Sequence, residues 1–205
     1  LNAEQGEIYS DVDGIANCDP RQIPEASIMD AVSAKQILSM ANEGSKVLHP
    51  RAVQASLKTQ TPIVARNTFS AASGTTIFHN APADQSDQVA LAHRDEMTLI
   101  EFEAKTDAQK IVPEMIRVDE CRFVLKKDVY QENRIKELQN KFGLLRTEDN
   151  WATISVVFDK PAPENKEIPE NEIIHSSQNV ICYLLKEDLL STSLRTLYEH
   201  YILAV

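Results

Sequence analysis

Apolar and polar residues alternate with a period of two over several short stretches of the chain, and elsewhere apolar residues recur every three to four positions. The first pattern predicts half-buried strands over Met97–Ala104 and Arg122–Lys126. Short apolar runs add strands over Ile63–Thr68, Thr75–Phe78, Ala152–Phe158 and Val180–Leu185, and Glu7–Tyr9 has the character of the end of a buried strand. The second pattern predicts helices. Ser33-Ala34-Lys35-Gln36 has capping-box spacing, Ile37, Leu38 and Met40 give the helix behind it an apolar face, and Gly44 is its stop. A second helix opens near His49-Pro50, where proline suits a first turn. Further helices are expected over Asp107–Arg117, kinked or shortened by Pro113, over Gln131–Phe142, and over Leu189–Ile202.

Breakers punctuate this pattern. Ser10-Asp11-Val12-Asp13-Gly14 is an acidic turn whose glycine tolerates the backbone angles required, and Asp19-Pro20-Arg21 and Ile23-Pro24 keep the following segment irregular. NAPADQSD, Asn80 to Asp87, lacks periodicity and is rich in turn formers, so it is expected to link two units, residues 1–80 and 85–205. KPAPENKEIPENE, Lys160 to Glu172, is too polar and proline-rich to pack and is expected to be a mobile excursion. Strands and helices are mixed after the linker in a manner compatible with a βαββαβ unit.

Composition narrows the possibilities. The 205 residues, 42% of them hydrophobic, contain no apolar run near the ~20 residues that a membrane helix needs. A formal charge of -10, with Lys126-Lys127 as the largest basic cluster, argues against a nucleic-acid partner. Cys18, Cys121 and Cys182 are widely spaced and odd in number, which fits a reducing, cytoplasmic setting better than a disulfide framework or a metal site. The chain begins at Leu1, and GEIYSDVDG reads as though it starts part-way through a unit, so a fragment of a longer protein is expected.

Three segments carry chemistry: SDVDGIANCDPRQIPEA (Ser10 to Ala26), KVLHPR (Lys46 to Arg51) and RNTF (Arg66 to Phe69). In this order they resemble the end of the catalytic domain of aspartate kinases, whose usual wording is close to TDVDGIYTADPR, KVLHPR and RSSF. The resemblance runs almost continuously from Glu7 to about Ile77. It implies an α/β fold: the C-terminal piece of a three-layer αβα amino-acid kinase domain, followed by a ferredoxin-like, ACT-like α+β region. It also implies that Ser10, Asp11, Arg21 and Lys46 contact ATP, with Asp13 and Asp19 as weaker additions that could equally cap the turn. The chemistry is consistent with these roles. Phosphates need cations and amide donors, and the sugar and the magnesium shell need oxygen acceptors. Lys46 precedes a predicted helix start, where free amides would join its charge, and Arg21, fixed by Pro20, could grip a phosphate with two parallel hydrogen bonds.

Simpler roles compete with these. An acidic turn alone is more often solvated than occupied, and an EF-hand is excluded because glycine falls at the fourth loop position and no glutamate closes the loop. His49 is expected to be a structural cap or packing residue and Cys18 an inert small residue, while His79, His93, His175 and His200 show no ligand spacing. Ala16 stands where the family usually has tyrosine beside the nucleotide.

The family's N-terminal KFGGTS-type segment does not occur, so no catalytic residue is assigned here and the 205 residues are expected to be inactive alone. The parent enzyme would transfer phosphate from MgATP to the side-chain carboxylate of L-aspartate, at the head of lysine, threonine and methionine synthesis. The second unit would act in homodimer contacts and in sensing an effector such as lysine or threonine. Glu103-Ala104-Lys105-Thr106-Asp107 occupies the expected effector loop without the usual glycine, which makes close backbone approach to a small ligand harder. The alternative is a non-catalytic ACT-like sensing or dimerisation module.

Overall fold

The computed structural model describes residues 3–79, 88–110, 112–129, 132–163 and 172–204. The linker expected at Asn80–Asp87 and most of the excursion expected at Lys160–Glu172 lie outside them. Two sheets organise the described chain. The first contains β1 (Gly6–Ser10), β2 (Ala31–Ser33), β3 (Ile63–Asn67) and β4 (Thr75–Phe78) in the order β1-β3-β4-β2. β1 and β3 run parallel, as do β2 and β4, and the two pairs meet antiparallel between β3 and β4. β1 is therefore an edge strand, with Glu7, Tyr9 and Ser10 exposed, and not the buried strand expected from its apolar residues.

Helix α1 (Ala34–Asn42) follows β2 directly. Ser33 is its N-cap and accepts a hydrogen bond from the Gln36 amide at 3.0 Å. The reciprocal half of the capping box is not made, because the Gln36 side chain turns instead to the backbone carbonyls of Gln88 and Val157. Helix α2 (Pro50–Thr59) starts as expected: His49 caps it, its Nδ1 accepting from the Arg51 amide at 3.2 Å.

The second sheet is wholly antiparallel. Its strands are β5 (Val89–Phe102), β6 (Ile116–Arg117), β7 (Arg122–Lys126), β8 (Leu144–Phe158), β9 (Glu172–Ser177) and β10 (Val180–Lys186), in the order β6-β7-β5-β8-β10-β9. Helices α3 (Glu132–Phe142) and α4 (Leu190–Tyr198) pack on this sheet, and α4 continues into a wider helical turn over Glu199–Leu203. Two expectations fail locally. Among the described residues of Asp107–Arg117 no α-helix forms: a single tight turn, Ala108–Lys110, precedes Pro113 and the short strand β6 follows it, since proline removes a helix donor. Glu172 opens strand β9 and does not close a loose excursion.

Alternation along β8 assigns its faces. Ala152, Ile154, Val156 and Phe158 meet Leu190, Leu194 and Leu197 of α4, whereas Val157 points the other way, into a core with Ile37 and Met40 of α1. That second core also takes Val32, Ile63, Ala65 and Ile77 from the first sheet, Val53 from α2, and Ala90 and Val180 from the second sheet. Helix α1 is thus packed between the two sheets. Farther along β5, Ile100 and Phe102 form a separate core with Phe123, Leu125 and Leu138 of α3. Among the described residues no helix is long and apolar enough to cross a membrane.

Candidate functional site

The C-terminal ends of the parallel pair β1 and β3 open onto the acidic turn. In open α/β sheets this end is where ligands bind, because loops diverge there and leave a crevice. Ser10 ends β1, and Asp11, Val12 and Asp13 follow, all exposed. The turn is tied to the chain beyond β3. Thr68 donates to the Ser10 carbonyl through its amide at 2.8 Å and its hydroxyl at 2.9 Å, and Asn67 Nδ2 donates to Asp13 Oδ1 at 2.8 Å. Ser70 Oγ donates to the same carboxylate oxygen at 2.6 Å. These donors from Ser70 and Asn67 hold the Asp13 carboxyl below its ordinary range. Gly14 then takes φ +154, and a Cβ there would lie 2.7 Å from Thr75 Oγ1, the atom that accepts the Ile15 amide.

Arg21 and Asp19 form a second group. Arg21 Nε and Nη2 grip the Asp19 carboxylate at 3.0 Å and 2.6 Å, although the Arg21 side chain is 83% exposed. The bond to Arg21 lowers the Asp19 pKa against the opposing effect of its partial burial. This pair feels β5: Asp19 interacts electrostatically with His93, and Arg21 with Asp95. The fork expected to grip a phosphate is therefore occupied by its own neighbour.

Lys46 is exposed in the connection between α1 and α2 and makes no ion pair or hydrogen bond among the described residues. The helix behind it offers less than expected. Pro50 has no amide hydrogen, the Arg51 amide is taken by His49 Nδ1, and the Ala52 amide reaches the His49 carbonyl at 2.9 Å. An anion near Lys46 would meet the charge without free amides beside it.

Ser10, Asp11 and Asp13 thus share one turn, Asp19 and Arg21 form a pair, and Lys46 stands apart. No hydrogen bond or ion pair among the described residues joins these three groups. Asn67, Thr68 and Ser70 are the residues that sequence reasoning left without a role; the RNTF segment carried the signal for the first two. Tyr9, Val12 and Phe69, 57%, 55% and 86% exposed, add apolar surface around the turn. Cys18 is buried among apolar residues, which pushes its thiol up to about 12 and leaves it inert, as expected. Among the described residues no group of His, Cys, Asp and Glu is arranged to hold a metal ion directly.

Residues 1–67 match the amino acid kinase family. Over 108 residues, half of this chain and 12% of the relative, the sequence is 33% identical to a bifunctional aspartokinase/homoserine dehydrogenase 1 of Zea mays, a chloroplastic protein. Over 103 residues, 48% of this chain and 25% of the relative, it is 35% identical to the aspartokinase of Pseudomonas aeruginosa. The matched stretches therefore span a quarter or less of these two relatives. The fold matches Escherichia coli aspartokinase III, solved with aspartate and ADP, at a TM-score of 0.75 and 17% identity, covering 96% of this chain and 52% of that one. At that identity the likeness concerns the fold.

Proposed function

We propose, from the premise that the chain belongs to the aspartate kinase family, that its first unit is the nucleotide-facing end of an enzyme that phosphorylates the side-chain carboxylate of L-aspartate with MgATP. The observation that carries this reading is the exposed Ser10–Asp13 turn at the ends of two parallel strands, braced by Asn67, Thr68 and Ser70. The donor set fits a magnesium nucleotide in a divided way. Asp11 and Asp13 would repel phosphates but suit ribose hydroxyls and magnesium-bound water, and Ser10 adds a neutral hydroxyl. Lys46, exposed and unpaired, and Arg21, once released from Asp19, supply the cations that phosphates require. When bound, the nucleotide supplies the transferable phosphoryl group, while these residues only hold and orient it. The aspartate-binding and transfer groups are not among them, so the 205 residues alone turn over no ATP.

The same reading divides the chain at residues 80–85, which is supported by a first sheet drawn entirely from residues up to 78 and a second drawn from 89 onward. Residues 85–205 are then an ACT-like regulatory region that serves in homodimer contacts. Its loop at Glu103–Asp107 is closed by its own bonds: the Glu103 amide donates to Gly143 O at 2.9 Å and the Thr106 amide to Glu120 O at 3.0 Å. Those two amides are engaged within the chain, which narrows the backbone donors this loop offers to an amino-acid effector such as lysine or threonine.

Isothermal titration of the 205-residue chain with MgADP tests the nucleotide site. The chain binds MgADP, and Lys46→Ala weakens binding about tenfold, the scale of one charge-assisted hydrogen bond. Absence of binding, or binding indifferent to Lys46, removes the reading.

A further inference from the structure

Helix α1 presents a polar stripe to the second sheet. Ser33 Oγ donates to Asp159, Gln36 Nε2 donates to the carbonyls of Gln88 and Val157 at 3.0 Å and 3.2 Å, and Asn179 Nδ2 donates to Ser39 Oγ at 3.0 Å. At the far end Ser155 Oγ donates to Glu43 Oε2 at 2.8 Å. Successive positions in this stripe are three or four apart, so they lie on one face. Every partner comes from the second sheet or the chain flanking its strands.

The stripe ends beside Arg94 of β5. The Arg94 guanidinium pairs with Glu43 at 3.3 Å and donates to the Asn42 carbonyl. Helix C-terminal carbonyls lack intrahelical partners and favour a cation, yet α1 has no basic residue in its last turn. The second sheet supplies that cation. Both side chains of the pair are less than one-fifth exposed, so water replaces neither partner well. Gly44 follows at φ +106 and lies so close to β5 that a Cβ would stand 2.7 Å from both the His93 carbonyl oxygen and Arg94 Cγ. Only Ser45 separates this anchored glycine from Lys46.

We propose that Arg94 is a positioning residue for nucleotide binding: by holding the Asn42 carbonyl and Glu43 it fixes the end of α1, and with it the point from which the chain presents Lys46. The proposal rests on the assignment of Lys46 to the phosphates. Arg94 reaches no ligand itself. It acts through the backbone, so the loop's placement is set by a strand of the other unit.

Amide hydrogen exchange and MgADP titration on the 205-residue chain test this together. In Arg94→Ala, the amides of Glu43, Gly44 and Ser45, which bond to the Ser39, Ala41 and Met40 carbonyls, exchange about tenfold faster, while those of Val64 and Ala65 in β3 keep their rates. MgADP affinity falls about three- to tenfold, and Arg94→Lys, which restores the charge without the fork, recovers part of it. Lys46→Ala weakens MgADP with no change in exchange, which separates contact from positioning. Unchanged exchange at positions 43–45 in Arg94→Ala, with wild-type MgADP affinity, overturns the proposal and leaves the site assignment standing. Failure of the unaltered chain to bind MgADP instead removes the site assignment and the proposal with it. Should Arg94→Ala fail to fold, Glu43→Gln, nearly isosteric, removes the ion pair and is read in the same way.

Discussion

Ala16 bridges antiparallel to Ile28 just past the acidic turn, half-buried, on the segment that carries the chain from the turn to Asp19. In the aspartate kinases that this stretch resembles, a tyrosine is usual here. An aromatic ring flanking a base contributes about 0.5–1.5 kcal/mol beyond the area it covers. Ile28 is 41% exposed, so its side chain leaves room for the edge of a ring. Ala16→Tyr is therefore expected to tighten MgADP binding about two- to tenfold by isothermal titration; unchanged or weaker binding would mean that the nucleotide does not pass this position. At the same scale the sequence shows which residues are chemically apt but not which are engaged. Asp13 reads as an acid in a turn. That it is held ionised by Asn67 and Ser70 depends on the parallel pairing of β1 with β3, a contact more than fifty residues away in the chain. Arg21 reads as a free phosphate grip, and only the structure shows its fork closed on Asp19.

The elements were legible wherever local chemistry decides them. Ser33 caps α1 and His49 caps α2 because an oxygen or ring nitrogen must meet the first free amides, a requirement visible in six residues of sequence. β5 was legible in part, since alternation marks its second half. Its beginning carries Ala90, Leu91 and Ala92, all buried because helices cover both faces of the sheet there, so no alternation exists to detect. Gly44 shows how much an element end can hide. In the sequence it is a helix stop; in the structure it also packs, just past α1, against the backbone of β5, combining a left-handed φ with no room for a methyl group. Gly44→Ala should destabilise the chain by about 1–3 kcal/mol, seen as a lower midpoint in urea unfolding. Gly6→Ala, with nothing within 4 Å of the added carbon, is the matched control and should shift it little. Equal effects of the two would show that the contact with β5 does not constrain the turn.

At the scale of the whole molecule the two sheets share α1, and this sharing was not legible, because Ser33, Gln36, Ser39 and Glu43 look like the solvent face of an ordinary amphipathic helix. On β5 beside the end of α1, folding also places a titratable group, His93, that is partly removed from water. His93 sits on β5 with Asp19 and Asp95 favouring its charged form and Arg21 and Lys126 opposing it; burial is the largest influence and keeps its pKa below the ordinary 6.5. The sign follows from linkage. The unfolded chain takes up a proton at His93 as pH falls through about 6.5 and the folded chain does so only lower, so stability is full above that pH and declines below it. Asp19, lowered by the bond to Arg21, and Asp149, lowered first by the hydroxyl of Thr98 and then by Lys127, act in the next window. Their contribution is complete above about pH 4 and is lost as pH falls through their folded values. The urea midpoint should therefore hold level from pH 8 to 7, begin to decline as pH falls below about 6.5, and decline again below about 4. His93→Gln should remove the first decline and keep the second, whatever its effect on absolute stability. A first decline that survives in His93→Gln would place the proton uptake elsewhere.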